Sequence, residues 1–392
     1  MKQLYFLGQA SNFTSPAAVA NHLLASGRKH DFDDLKTYLA NHYDTTADHV
    51  YLMKNGRSAL AAALRALVPK DSEVAINAFT CYAVIQAVKA GQCRPVYADI
   101  DPATLNYNSK TLKTLIDTHP NLKAIILQNT LALSPDIAKI RRLAEKHGLI
   151  IIEDMAHNAG AFYDDPELKE PVEMGRLGDA ACFSFGKGKS LDTTTGGALI
   201  IRHPEKIRKA PVAPAKTPTF AENYRARFYP LIGQIGRATF NLHLNKFWYA
   251  AHIKTHLITR AVDETLDLKK RPANWQCRLA LDQFRAMKPT GTTPLRVHTF
   301  VDDRAATLKE LVAAGYHFEE VWYDVPVSPV RYYKSLNFPE SAYPCATAAA
   351  RHIINLPTYY PKASLEKAIS IIESHEISVD QVLAEAKKGA NR

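Results

Sequence analysis

The chain has 392 residues, 46% of them hydrophobic and 22% charged, and a formal net charge of +10 at pH 7. This length can bury a large core and favours two domains, and the absence of low-complexity tracts and internal repeats excludes a disordered or repeat protein. No stretch of about 18 apolar residues and no apolar leader with a cleavage-like site is present, so we expect a cytoplasmic protein. The five cysteines are odd in number and widely spaced, which favours reduced core thiols over disulfides or a metal site.

Short apolar runs alternate with amphipathic stretches from about residue 50 onward. The runs predicted to be strands are 73–77, 94–99, 123–128, 149–154, 180–185 and 197–202. Apolar strands separated by helices predict an α/β fold, in which a mainly parallel sheet is covered by helices on both faces and binds ligands at the carboxyl ends of its strands. From about residue 273 helix and strand patterns resume and end in two helices, which predicts a smaller C-terminal α+β domain.

The positive charge is concentrated in one segment. From Ile201 to Arg271 there are 14 Lys and Arg but only five Asp and Glu. Such a segment indicates an anionic partner, either a phosphate, a nucleotide or a membrane surface, and a solvated basic face is the alternative. No helix-turn-helix, RNP-like or zinc-finger pattern is present, so nucleic acid is not an expected partner.

Two short stretches carry polar side chains where predicted strands end. In KNGRSALAAALRAL (54–67), a turn at Asn55 and Gly56 precedes a helix, whose exposed N–H groups beside Arg57 and Ser58 would form a phosphate cradle. In IIEDMAHNAGA (151–161), Asp154 ends a strand and His157 follows it. Taken singly, the first stretch is usually only a helix cap, and a cap is also the alternative for Asp154 in the second.

A third stretch, SFGKGKSLDTTTGG (184–197), places Lys187 and Lys189 among glycines and small hydroxyl residues. The three stretches together suit a cofactor that has a phosphate, a ring nitrogen needing a carboxylate and a carbonyl needing an amine, which describes pyridoxal phosphate. A nicotinamide dehydrogenase would need G-x-G-x-x-G after an early strand, and this pattern does not occur.

These stretches resemble the DegT/DnrJ/EryC1/StrS sugar aminotransferases, which are fold-type I pyridoxal phosphate enzymes. The resemblance covers roughly residues 45–205 and, more weakly, 320–375, and the family's GDAACFSF strand occurs verbatim at 178–185. The family's lysine stands five residues after the serine of that strand. Counted from Ser184, this position is Lys189, whereas Lys187 falls two residues short.

The resemblance implies a role for each matched residue. Lys189 would be the Schiff-base lysine and would carry the proton in the reaction, while Asp154 would keep the pyridine nitrogen protonated and His157 would face the phenolate oxygen. The residues implied to hold the phosphate are Gly56, Arg57, Ser58 and Ser184. An aromatic ring should cover the cofactor, and Tyr82 is the candidate, although the strict match falls on Cys81.

The chain departs from the family pattern at three places. Arg57 replaces a threonine, Thr195 stands where the lysine loop has a glutamate, and the Asn-Tyr-Arg segment corresponds to 269–271. The implied function is transfer of an amino group from an amino acid, glutamate, to a keto sugar nucleotide for amino-sugar or cell-surface polysaccharide synthesis. The alternatives are a non-catalytic pyridoxal phosphate protein with a regulatory or assembly role, and a sugar-modifying enzyme of another reaction type.

The resemblance also implies a homodimer. The predicted division is a cofactor-binding domain at 1–215, a basic and aromatic insertion at 216–272 and a small C-terminal domain at 273–392. Within the insertion, apolar residues recur at helical spacing over 228–260, with Arg and Lys beside them. Pro230, Gly233 and Gly236 predict two short helices here. This stripe either packs on the sheet or a partner subunit, or lies in a membrane interface.

Overall fold

The computed structural model describes residues 5–6, 16–241, 265–287, 295–318 and 321–390. The strands are β1 Tyr5–Phe6, β2 Val50–Met53, β3 Glu73–Asn77, β4 Thr80–Cys81, β5 Arg94–Ala98, β6 Leu122–Leu127, β7 Ile150–Asp154, β8 Ala180–Ser184, β9 Gly197–Ile201, β10 Arg296–Val301, β11 Tyr316–His317, β12 Val327–Ser328, β13 Ile353–Pro357 and β14 Glu376–Ile377. The α-helices are α1 Pro16–Leu24, α2 Asp31–His42, α3 Gly56–Leu67, α4 Tyr82–Ala90, α5 Ser109–Thr118, α6 Ile137–Lys146, α7 Phe220–Asn241, α8 Asn274–Ala286, α9 Arg304–Ala314, α10 Val330–Tyr333, α11 Pro344–His352, α12 Lys362–Glu373 and α13 Val379–Ala390.

The main sheet has seven strands in the order β2-β9-β8-β7-β6-β3-β5. The run from β8 to β5 is parallel, whereas β9 pairs antiparallel with β8 and with β2. All six predicted strands are present, and the predicted α/β fold with a mainly parallel sheet is confirmed. The sequence did not predict β2, a four-residue strand at the edge of the sheet.

Both faces of this sheet are buried, because alternate residues of each strand point to opposite sides. In β6, Ile125 and Leu127 face one core, and Ala124 and Ile126 face the other. Helices α2, α5, α6 and α8 supply apolar side chains to the first core, and α3 and α4 supply the second. With both faces covered, ligands are left the ends of the strands, and in such sheets they bind at the carboxyl ends.

A second sheet follows in the chain, with the antiparallel order β13-β10-β14. Helices α9 and α12 cover one side of it, and α11 and α13 pack in a core that also contains Phe79 and Leu131 from loops of the main sheet. This shared core places the second sheet beside the carboxyl edge of the first. The predicted limits of the three domains stay a prediction.

The predicted break at Pro230 is wrong, because α7 runs unbroken through Pro230 and both glycines. Proline lacks the N–H that would bond the carbonyl four residues earlier, that of Ala226. In the structure, Nε2 of the buried His22 lies 2.9 Å from the Ala226 oxygen and takes the place of that donor. Of the predicted stripe at 228–260, residues 242–260 lie outside the described part. Among the described residues, no helix is long and apolar enough to cross a bilayer.

Candidate active site

The carboxyl edge of the main sheet brings Lys189, His157 and Asp154 together. Asp154 is the last residue of β7, and Lys189 stands in the loop that joins β8 to β9. The Lys189 Nζ lies 3.1 Å from Nε2 of His157. Strand order explains the meeting, since β7 and β8 are adjacent and parallel.

The electrostatics of this cluster keep His157 neutral. Burial, followed by the charges of Lys189 and Arg296, lowers the pKa of His157 well below its usual value. A neutral imidazole can accept at Nε2 a hydrogen bond that the Lys189 ammonium donates. The pKa of Asp154 is raised, because the effect of burial is larger than two opposing effects. These are the charge of Lys189 and the hydrogen bond that the Ala156 N–H donates to Oδ1 of Asp154 at 3.1 Å.

The loop that carries Lys189 is fixed by the buried carboxylate of Asp192. One oxygen accepts the N–H of Gly188 at 2.8 Å, and the other accepts the N–H of Thr194 at 2.9 Å. Both partners have left-handed backbone, with φ of 73° at Gly188 and 71° at Thr194. From α8, the amide of Gln283 bonds the backbone of Asp192 in both directions, at 2.8 and 2.9 Å. The backbone on both sides of Lys189 is therefore held in one conformation.

The N-terminus of α3 lies against the end of β8. Asn55 caps the helix by accepting the N–H of Ser58 at 2.9 Å. A Cβ on Gly56 would lie 2.7 Å from the Cβ of Ser184, so only glycine allows this close approach. The hydroxyl of Ser58 accepts the N–H of Asp267 at 3.2 Å, and Arg57 is partly exposed in the first turn. The N-terminus of a helix thus meets a serine side chain here.

Tyr82 and Lys187, both singled out in the sequence, have aromatic partners. The ring of Tyr82 stacks on Tyr332, with centroids 4.5 Å apart. Lys187 lies over the ring of Tyr229 in α7, with its Nζ 4.2 Å from the centroid. A contact of Tyr82 with a cofactor stays a prediction.

The sequence profile of the DegT/DnrJ/EryC1/StrS aminotransferase family matches residues 17–376. The chain belongs to this family. A pleiotropic regulatory protein of Geobacillus stearothermophilus is 28% identical over 81% of this chain and 82% of its own length. The GDP-perosamine synthase of Caulobacter vibrioides is 26% identical over 83% of this chain and 85% of its own length. Spr1654 of Streptococcus pneumoniae, described as a sugar aminotransferase and solved in its pyridoxal phosphate form, shares the fold with a TM-score of 0.61 and 19% identity over 97% of this chain and 99% of its own.

Enzymes of the DegT/DnrJ/EryC1/StrS family use pyridoxal 5′-phosphate. The donor set of this chain fits that group, because a helix N-terminus suits a phosphate and a carboxylate suits a protonated ring nitrogen. The set also contains an amine and an imidazole, at Lys189 and His157, whose Nζ and Nε2 atoms lie 3.1 Å apart. The cradle at Gly56 has no room for a Cβ, which agrees with a backbone that must approach another group closely.

Three residues around the pair of Lys189 and His157 were missed in the sequence. Trp322 lies over Lys189, with the Nζ 5.0 Å from the ring centroid, and its ring centroid is 5.2 Å from that of His157. The buried Tyr323 stacks on Phe79 with centroids 4.7 Å apart, and Arg296 is fully buried behind Trp322. Trp322 and Tyr323 lie in the stretch of weak resemblance and Arg296 lies before it, and no local pattern marked any of them.

Proposed function

We propose that this aminotransferase moves an amino group from glutamate to a keto sugar carried on a nucleotide, in the synthesis of amino sugars or cell-surface polysaccharide. The observation that carries the proposal is the contact between Lys189 and His157 beside Asp154. The similarity to a GDP-perosamine synthase over most of both chains supports the sugar-nucleotide acceptor.

Each residue of the cluster has a proposed task. Pyridoxal phosphate supplies, when bound, a ring that accepts electrons as the Cα–H bond of the substrate breaks. Lys189 would hold the cofactor through its aldehyde carbon and would be the base that takes the proton from the substrate Cα. Asp154 would keep the ring nitrogen protonated, and His157 would face the phenolate oxygen. The residues proposed to hold the phosphate are Gly56, Arg57, Ser58 and Ser184.

Half-reactions test this function. L-glutamate added to the cofactor-loaded protein should convert the aldehyde form of the cofactor to its amine form and release one equivalent of 2-oxoglutarate. A panel of amino-sugar nucleotides, GDP-perosamine and UDP-linked 3-amino sugars, should drive the same conversion from the sugar side. The Lys189→Ala variant should lose both reactions, whereas the control Lys110→Ala, on the outer helix α5, should retain them. Absence of conversion with every member of the panel would contradict the proposed acceptor.

A second candidate is a non-catalytic pyridoxal phosphate protein with a regulatory role. The similarity to a pleiotropic regulatory protein and the threonine at position 195, where the family has a glutamate, favour it. Such a protein would bind the cofactor but would leave the absorbance unchanged after glutamate is added. The glutamate half-reaction therefore separates the two candidates.

We also propose that the protein is a cytoplasmic homodimer, because enzymes of this fold complete their sites with a second subunit. Light scattering at micromolar concentration should give twice the mass of the chain, and a fully active monomer would contradict this.

A peripheral membrane contact through 228–260 is the remaining part of the proposal. Two aromatic side chains of α7 support this contact, because they are exposed just before residue 228. Phe220 is 86% exposed and Tyr224 is 55% exposed. Arg225 beside them is exposed and would meet anionic lipid. Vesicles with phosphatidylserine should sediment the protein at low salt, and the double variant Phe220→Ser, Tyr224→Ser should remain in the supernatant. Equal recovery of wild type with and without vesicles would contradict the contact.

A further inference from the structure

Trp322 lies in the part of the chain that forms the second sheet, but its ring contacts Lys189, which lies at the edge of the main sheet. Its ring is within 5.0 Å of the Lys189 Nζ and 5.2 Å of the His157 ring, which is inclined to it by 31°. Trp322 is partly exposed, whereas His157 beneath it is buried. Lys189 is also partly exposed, so a molecule that reaches its Nζ comes within a few ångströms of the Trp322 ring.

The position of this ring is fixed from behind by two fully buried polar side chains. The side-chain amide of Asn355, on β13, donates to the carbonyl of Trp322 at 2.9 Å. The same amide accepts at its oxygen the Nε–H of Arg296 at 2.5 Å, and the Arg296 Nη2–H donates to the Asn355 carbonyl at 3.0 Å. The Arg296 guanidinium carbon lies 5.1 Å from the centroid of the Trp322 ring. Arg296 and Asn355 thus hold the backbone and the ring of Trp322 in one place.

The chemistry of an aromatic face selects what can lie on it. The face of an indole carries negative partial charge, so it attracts cations and the C–H faces of sugar rings and repels carboxylates. Glutamate brings two carboxylates to the site, whereas a pyranose brings an apolar C–H face, and its aminated carbon carries an ammonium group in the product. The ring already has an amine over its face, because the Lys189 Nζ lies 5.0 Å from its centroid.

We propose that Trp322 is the platform for the sugar ring of the acceptor, with Arg296 and Asn355 as the residues that position it. This inference rests on the proposed function, since it names the part of the site that binds the acceptor. It assigns the sugar and the amino donor to different groups, although both substrates react at Lys189. Removal of the Trp322 ring should therefore weaken binding of the sugar nucleotide and leave binding of glutamate almost unchanged.

The test compares the two half-reactions in Trp322→Phe and Trp322→Ala. The sugar probe is the member of the panel, GDP-perosamine or a UDP-linked 3-amino sugar, that converts the wild-type cofactor fastest. For Trp322→Ala we expect its KM to rise about tenfold or more, as loss of aromatic stacking predicts. Trp322→Phe, which keeps a ring and a foldable core, should lie between Trp322→Ala and wild type. The KM for glutamate should stay within about twofold of wild type in both variants. The matched control is Trp275→Phe, on α8 beside His22, which should change neither value.

A binding measurement removes turnover from the test. Borohydride-reduced protein cannot react, so calorimetry gives the Kd of the sugar nucleotide directly, and Asn355→Ala should raise it as Trp322→Ala does. If Trp322→Ala raised the KM for glutamate as much as that for the sugar nucleotide, or left the Kd of the sugar nucleotide unchanged, Trp322 would not be the platform for the sugar ring. Absence of both half-reactions in wild type would instead overturn the proposed function.

Discussion

Gly56 shows how one hydrogen atom in place of a methyl group shapes the site. A Cβ at this position would lie 2.7 Å from the Cβ of Ser184 and 3.2 Å from its Oγ. In Gly56→Ala, either the helix N-terminus or Ser184 must shift, and overpacking of this kind costs about 1–3 kcal/mol. We expect the affinity of the apoprotein for pyridoxal phosphate, measured by fluorescence titration, to fall about tenfold or more.

The matched control for this substitution is Gly389→Ala on α13, where an added Cβ meets nothing within 4 Å. It should leave the cofactor affinity unchanged. Wild-type affinity in Gly56→Ala would show that α3 does not hold the phosphate.

Lys189 was predicted from the sequence because the signal is local, a fixed count of five residues from Ser184. Asp154 and His157 were predicted for the same reason, since a strand ends beside them. Trp322, Arg296 and Asn355 could not be predicted, because Trp322 meets Lys189 only through the packing of the second sheet on the first, and Arg296 and Asn355 contact Trp322 from positions distant in the chain. Side chains that depend on contacts distant in the chain carry no periodic or spacing signal.

At the scale of elements, the same limit explains α7. Proline rules predict a break at Pro230, but a histidine 204 residues away in the chain bonds the carbonyl that the proline leaves without its helical donor. The six strands of the main sheet, by contrast, were predicted because each is an apolar run buried on both faces.

A double-mutant cycle tests the role of His22. In the wild-type background, His22→Leu leaves the Ala226 carbonyl without the imidazole donor and should lower the free energy of unfolding by about 1–3 kcal/mol. In Pro230→Ala, the new N–H at position 230 can bond that carbonyl, so His22→Leu should cost less by about 0.5 kcal/mol or more. Urea unfolding followed by circular dichroism measures both values. Equal costs in the two backgrounds would show that His22 does not compensate for the proline.

Buried histidines should make the stability of the whole molecule sensitive to acid. Burial lowers the pKa of His22 and of His298 to about 4, and burial also lowers that of His157. Below the usual histidine pKa of about 6.5, the unfolded chain binds protons that the folded chain does not, so the free energy of unfolding falls as the pH drops towards 4. His22 and His298 each contribute about 1.4 kcal/mol per pH unit in this window.

His22→Gln separates this effect from other acid effects, because glutamine keeps an N–H donor but does not titrate. Between pH 7.5 and 5.5 the variant should lose about 1.4 kcal/mol less stability than wild type, seen as a smaller shift of the urea midpoint. The same shift in both proteins would show that His22 is protonated in the folded state.

Borohydride trapping tests most directly that Lys189, and not Lys187, bonds the cofactor. Reduction of the cofactor-loaded protein, followed by digestion and mass spectrometry, should place the phosphopyridoxyl group on Lys189. Lys187 lies over the Tyr229 ring and is not expected to bond the cofactor, so Lys187→Ala should still be labelled on Lys189. Lys189→Ala should carry no label in this loop. A label on Lys187, or a label on neither lysine of a protein that retains bound pyridoxal phosphate, would contradict the account.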